Sequence, residues 1–299
     1  MNRQTVAGTA SIALLCRRFG VSRQAYYAAL KPPARRRADA NVIPLPRRPR
    51  HSSAEAVLVA IQSVLAGEDA AAWGVRKVWA RLRQQGMRVG RKRVYALMKA
   101  NGLVLARDRE PGETTRGHVA VPEPNRRLAT DLTTVWTRKD GTVALVPTID
   151  CGCRSLLGMV VTKDQHGPAV LASVTQALVA AFGVPTNVPE GLELRTDHGP
   201  QYTGQDCRDL VAEWNLVHTF APVGRPTGNA VVERVIRTLK EEVIWLRDWD
   251  SADEVRAAVE AWVARYNEQR PHQALDYATP AEYRAKRLGL PMPKFKLAG

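Results

Sequence analysis

The chain has 299 residues, with 44 Lys and Arg against 29 Asp and Glu, a formal net charge of +15. A hydrophobic fraction of 45% and a charged fraction of 24% exclude global disorder, and no apolar run reaches the roughly 18 residues that a membrane span requires. Four cysteines make no disulfide scaffold, Cys151-x-Cys153 has no second Cys/His pair at a zinc-ligand spacing, and no secretory leader pattern opens the sequence, so the expected setting is a reducing cytoplasm.

The excess charge is one-sided. Residues 1–118 hold 23 basic and 7 acidic residues, whereas 119–299 hold 21 and 22. A basic block joined to a near-neutral one is the composition of a polyanion-binding arm attached to a second activity. Aromatic and apolar residues interleave the basic ones in helix-like segments, which favours nucleic acid over a merely solvated face.

Residues 9–30 read as two short helices about a turn. The first has Ile12, Leu15 and Phe19 at helical spacing and Gly20 at its end. Ser22 caps the second, whose first residues Arg23 and Gln24 are candidate DNA contacts in a helix-turn-helix. Five prolines among basic residues make 31–50 a basic linker. A second helical unit starts at Ser52 or Ser53, with Val57, Leu58, Ile61, Val64 and Leu65 on one side. "WGVRKVWARLRQQG" and "VGRKRVYALMKANG" follow, each ending at glycine. Arg91, Lys92 and Arg93 open the last of these helices. Their charge opposes the helix dipole, so they read as phosphate contacts rather than helix stabilisers. Residues 104–122 form a boundary. The expected division is 1–50, 51–118, 119–290 and a tail of 291–299.

From Leu128 the pattern changes to short β-branched runs, Leu128–Trp136, Thr142–Asp150 and Ser155–Thr162, with "KDG" as a turn. A helix at Pro168–Phe182, a run to Asp197, a helix near Asp206–Trp214, a strand at Leu216–Phe220 and helices at Asn229–Leu246 and Ala252–Glu268 complete the reading. Five strands mixed with helices predict an α/β domain with a mixed sheet.

Three acids carry the chemistry. Asp131 lies in "RLATDLTTVW", where apolar neighbours would bury an unpaired carboxylate at a cost. Asp197 ends a strand in "ELRTDHGPQYTG", and Glu233 starts a long helix in "GRPTGNAVVERVIRTLKEE". Such a carboxylate set suits Mg²⁺ or Mn²⁺, and a metal pair can activate a nucleophile and stabilise the leaving oxygen of a phosphodiester. Arg237 and Lys240 follow Glu233 by four and seven residues, on the same helix face. His198 is a candidate for approaching substrate. His272 and the seven tryptophans read as packing residues, with Trp136 near enough to Asp131 to border the site.

The 35 residues between Asp197 and Glu233, with Asp131 upstream, resemble the D, D-35-E signature of transposases and retroviral integrases. "TDLTTVW", "TDHGPQYTG", "GRPTGNAVVERVIRTLKEE", "YNEQRPHQALDYATPAEY" and the helical "WGVRKVWARLRQQGMRVGRKRVYALMKANGL" resemble, more narrowly, the OrfB-type transposases of the IS-three insertion-sequence family, over residues 10–287. The resemblance implies an RNase H-like five-stranded core behind helix-turn-helix-like DNA-binding domains. Asp131, Asp197 and Glu233 would be its catalytic metal ligands, for two ions in the family's manner, and Lys240 its basic residue beyond the glutamate. It further implies double-stranded DNA as substrate (inverted-repeat ends and target), a homo-oligomer on DNA, an upstream-frame partner protein and a bacterial, nucleoid-associated location. Leu128, Ala221 and Gly228 stand where the family commonly has Trp, Ser and Asp. The competing readings are a decayed DNA-binding repressor and an RNase H-like nuclease that does not join.

Overall fold

The computed structural model describes residues 11–30, 52–67, 70, 72–105, 121, 123–222, 229–295 and 297. The chain divides into two units, Met1–Arg50 and His51–Gly299.

In the first unit, α1 (Ile12–Arg18) and α2 (Arg23–Leu30) form the expected hairpin. Ser22 Oγ accepts from Ala25 N at 3.1 Å, so Ser22 caps as the sequence predicts, and Ser11 Oγ likewise accepts from Leu14 N at 3.3 Å. The apolar face expected on α1 is not buried: Ile12 and Phe19 are exposed, and Cys16 alone among the described residues of this unit is buried. The basic linker of 31–50 lies outside the described residues.

The second unit begins with α3 (Ala54–Leu65), α4 (Val75–Gln84) and α5 (Arg91–Ala100), packed on Val57, Ile61, Trp73, Val78, Leu82, Val94 and Met98. Ser53 caps α3, and Trp79 Nε1 donates to the Val89 carbonyl at 3.0 Å, closing the α4–α5 turn. Most of the expected boundary at 104–122 lies outside the described residues.

The remainder is a sheet between helices. Its strands are β1 (Arg127–Thr130), β2 (Thr133–Thr137), β3 (Gly141–Asp150), β4 (Leu156–Thr162), β5 (Glu193–Thr196) and β6 (Val217–Phe220). Its helices are α6 (Gly167–Phe182), α7 (Pro200–Thr203), α8 (Gln205–Glu213), α9 (Ala230–Glu242), α10 (Ala252–Glu268) and α11 (Pro280–Leu288). β1 and β2 both pair antiparallel with β3, β4 lies on the other side of β3, and β5 and β6 run parallel to β1. One face packs Ala129, Leu145 and Ile149 against α9 and α10, and the other packs Leu128, Val146 and Leu157 against α6 and α8. With both faces covered, β3 is a run of buried residues rather than an alternation. Gly158 permits the close approach of α6, since a Cβ there would stand 2.0 Å from the Ser173 carbonyl oxygen.

The sheet has six strand segments in five positions. Leu128 opposite Asp150 and Thr133 opposite Leu145 share one continuous register, so β1 and β2 are the expected first strand, interrupted at Asp131–Leu132. That register sets Asp131 opposite Pro147. Cys151 N donates to the Arg127 carbonyl at 2.9 Å, which makes alternate residues from Arg127 the hydrogen-bonded positions of the ladder. Asp131 falls on such a position, and Pro147 has no N–H to give it.

Two other expectations change. The helix predicted to run to Leu246 ends at Glu242, where Val243 leaves helical dihedrals and a 3₁₀ turn, Ile244–Leu246, follows. α11 has no counterpart among the elements expected from the sequence, although Thr279 and Glu282 form its capping box and Pro280 occupies its first turn.

Candidate active site

Asp131 stands at the interruption between β1 and β2, its Oδ1 accepting from Leu132 N at 2.8 Å. Asp197 follows the end of β5, its Oδ1 accepting from Gly199 N at 3.0 Å. Ala129 lies level with Arg195 in the parallel β1–β5 pair, and two residues further the same register sets Asp131 level with Asp197. Neighbouring strands lie about 4.8 Å apart, so the two carboxylates start from adjacent backbones. Glu233 enters from the first turn of α9.

The start of α9 is fixed by a side-chain bond to the sheet rather than by a side-chain cap. Asn229 occupies the N-cap position but makes no side-chain cap bond. It is buried, and its Nδ2 donates to the Thr130 carbonyl at 3.1 Å. The amide thus ties the helix bearing Glu233 to the backbone just before Asp131. Ala221 donates its N–H to the Thr196 carbonyl at 2.7 Å, continuing the β5–β6 pairing past Phe220. Gly228 lies outside the described residues.

A cavity of about 350 Å³ is lined by Asp131, Thr133, Glu233, Arg237, Lys240 and Trp245, with Leu132 and Ile236. Arg237 and Lys240 therefore do share the face of Glu233. Arg237 pairs with Glu241 at 2.8 Å. The Lys240 side chain has no hydrogen bond or ion pair among the described residues, and its charge acts on Asp131. Asp197 does not line this cavity.

The electrostatics join the three acids. Burial pushes the Asp131 carboxyl up to about 6, and the charges of Asp197 and Glu233 add to the rise, against the Leu132 N–H and Lys240, which lower it. Burial also raises Glu233. Among the described residues, no three acidic, histidine or cysteine side chains are drawn together closely enough to hold an ion. The donor set nevertheless fits a hard divalent cation: three carboxylates with unsatisfied acceptor capacity, whose mutual repulsion a cation would relieve.

The other predicted site residues lie apart. His198 is exposed and stacks on Phe220, ring centroids 4.8 Å apart and planes 23° apart, outside the cavity. Arg91 and Lys92 are exposed at the start of α5, and Arg93 is half-buried there. Arg23 and Gln24 are exposed on α2.

The packing reading fails for two tryptophans. Trp73, Trp214, Trp249 and Trp262 are buried, but Trp136 and Trp245 are 64% and 65% exposed. Trp136 lies on the outward-facing positions of β2 and does not line the cavity, whereas Trp245 does. Trp245 follows the unforeseen end of α9, so helical spacing from Glu233 could not place it. In the helical unit, α4 turns cations to the core. Its Arg76, Lys77 and Arg81 bond Gln273, Glu242 and Gln269 of the core at 3.2, 3.3 and 3.4 Å.

Family models described as integrase core domains match residues 121–226 and 216–280, and an HTH-like domain model matches 52–111. The transposase InsD of insertion element IS2A/D/F/H/I/K from Escherichia coli is 30% identical over 252 residues, 81% of this chain and 82% of that protein. The chain belongs to the DDE transposases of the IS-three insertion-sequence family. It is accordingly a polynucleotidyl transferase with an integrase core. Among solved structures, the simian T-cell lymphotropic virus intasome in complex with PP2A regulatory subunit B56 gamma aligns at 18% identity, covering 73% of this chain and 78% of that one, with a TM-score of 0.47. The magnesium complex of the HTLV-2 integrase catalytic core, in trimeric form, aligns at 16% identity, covering 54% and 96%, with a TM-score of 0.41. No described helix of the transposase is long and apolar enough to cross a membrane.

Proposed function

We propose that this transposase, of the OrfB type, binds the terminal inverted repeats of its element, cleaves the 3′ ends and joins them to target DNA. The observation that carries the reading is the cavity that Asp131 and Glu233 line together with Arg237 and Lys240, with Asp197 just past the end of the neighbouring strand, where the β1–β5 register sets it level with Asp131. Acids and cations lining one cavity suit a phosphodiester: the cations hold its oxygens, and the acids bind the counter-charge of the reacting centre.

Asp131, Asp197 and Glu233 would hold Mg²⁺ or Mn²⁺, as one ion or two, and the bound cation would supply a deprotonated water and charge neutralisation at the leaving oxygen. Lys240, with no other partner among the described residues, is placed to take a non-bridging phosphate oxygen. Arg237 exchanges Glu241 for phosphate at small cost, because exposed pairs of this kind contribute only about 0–1 kcal/mol. The Asn229–Thr130 bond holds Glu233 in register with Asp131 through both steps. First a water oxygen attacks the phosphorus at the element's end and the 3′ oxygen leaves. That 3′-hydroxyl then attacks a second phosphodiester in line, giving up its proton, while the target strand's 3′ oxygen leaves. No serine, tyrosine or cysteine nucleophile is required.

On the binding side, α2 and α5 are the candidate recognition helices, through Arg23, Gln24, Arg91, Lys92 and Arg93, with His198 nearer the core. Coordinated cutting at two ends calls for a homo-oligomer on DNA, and an upstream-frame product is the candidate protein partner.

The test is an end-labelled duplex of the inverted repeat flanking the chain's own gene, incubated with Mg²⁺ and with wild type or Glu233→Gln. Metal-dependent shortening plus joined products, both absent in the variant, is the expected result. Shortening without joining would leave a nuclease, and binding without either product a repressor.

A further inference from the structure

We propose that Trp245 is a nucleobase platform: it stacks on a base at the DNA end whose phosphate occupies the acidic cavity. The inference rests on the transposase reading above and adds a ligand subsite to it.

The indole is held outward by a rigid turn. Ile244 and Val243, just before it, are buried in the core. The Ile244 carbonyl accepts from the buried Trp249 Nε1 at 3.0 Å, and the Trp249 carbonyl accepts from Arg138 N at 3.0 Å, at the end of β2. The turn is thus fastened to the sheet on both sides of Trp245. The Trp245 side chain itself has no hydrogen bond or ring partner among the described residues. A large apolar ring held 65% exposed on a fixed backbone gains nothing for folding from that exposure.

Its surroundings select the occupant. The same cavity holds Asp131, Glu233, Arg237 and Lys240. A flat apolar ring beside two cations matches a nucleotide, the ring taking the base and the cations its phosphate, and base–aromatic stacking needs no particular base. A protein segment with an apolar side chain would fill the ring but leave the carboxylates and Lys240 unmatched. A base at the end of a duplex suits the site best, because it has a neighbour on one side only and unstacks at least cost.

The test compares wild type, Trp245→Ala and Trp245→Phe as full-length chains, by fluorescence anisotropy with duplexes of the inverted-repeat end, in the absence of divalent metal. One set is intact, and in others each of the three terminal nucleotides is replaced in turn by an abasic sugar. Trp245→Ala should weaken binding to the intact end about tenfold, the lower range of a stacked base, and Trp245→Phe should recover most of it. At one abasic position the three proteins should bind alike, because the base that the ring stacks on is gone. Equal affinity of wild type and Trp245→Ala for the intact end would overturn the proposal, as would a tenfold gap that persists at every abasic position. Since binding is read without metal, a failure to cut or join would count against the transposase reading alone, and cutting with no stacking signature against the platform alone.

Discussion

Asn229 and Thr130, ninety-nine residues apart, are joined by a 3.1 Å hydrogen bond from the side-chain amide to the main-chain carbonyl. The bond lies between the helix that carries Glu233 and the strand that ends just before Asp131, so the separation of the two acids depends on it. Asn229→Ala leaves a buried carbonyl without its donor, at a cost of about 1–3 kcal/mol. End cleavage should fall roughly 10- to 100-fold, as misplaced reacting groups do, with duplex affinity unchanged. Asn229→Asp keeps the shape but cannot donate, and should behave like the alanine variant. Normal single-turnover cleavage in both would show that the bond does not position the acids.

Asp131 should trade stability for function. Its folded-state pKa of about 6 lies above the ordinary aspartate value near 4, chiefly through burial. The stability linked to its protonation is therefore complete below about pH 4 and lost as pH rises through 6. At pH 7.5 without divalent metal, Asp131→Asn should be more stable than wild type by about 1–3 kcal/mol, and at pH 4 the two should unfold alike. Added Mg²⁺ should raise the melting temperature of wild type and not of the variant. Thermal scans at the two pH values, with and without metal, check both statements.

His272 acts in the opposite direction. Burial, then the charges of Arg270 and Lys77, hold its pKa well below 6.5, and its Nε2 is buried without a partner among the described residues. The neutral ring is compatible with the fold above pH 6.5, and stability is lost as pH falls from there toward the folded-state pKa. The slope approaches about 1.4 kcal/mol per pH unit at most for one group. His272→Gln should flatten the decline in melting temperature between pH 6.5 and 5, and an unchanged decline would place the acid sensitivity elsewhere.

Glu242 is the buried junction between the helical unit and the core. It accepts from Lys77 at 3.3 Å, from Arg270 at 3.0 Å and from Trp262 Nε1 at 3.0 Å. Burial lowers Lys77 to about 8 even with this partner. Glu242→Gln would leave two cations without their counter-charge, and breaking such a buried pair costs about 3–5 kcal/mol. Adding Lys77→Met to Glu242→Gln should recover part of the loss, a coupling that a double-mutant thermal cycle measures.

The basic residues of the helical unit should divide by helix. The side chains of Arg91, Lys92 and Arg93 at the start of α5 make no hydrogen bond or ion pair among the described residues. Replacing all three by alanine should weaken duplex binding and reduce the slope of log affinity against log salt by about 2–3, near 0.9 for each phosphate that is no longer neutralised. Arg81→Ala should leave that slope unchanged, because Arg81 faces Gln269 of the core.

Helix starts at Ser22 and Ser53 were legible because a cap is local: each serine bonds an N–H three residues on. The strands were legible from their β-branched runs, and the three acids are proposed from their spacing and flanking motifs. Other features were decided by residues distant in the chain. Pro147 opposite Asp131 broke a strand that the sequence shows as continuous, and Trp249 claimed the Ile244 carbonyl beyond the early end of α9. Asn229 turned from its own helix to Thr130, and the core took the cations of α4. Periodicity and capping report on a residue's neighbours within a turn or two of backbone. Which buried carbonyl lacks a donor, and which tryptophan finds no core to enter, is settled only when segments a hundred residues apart are packed together.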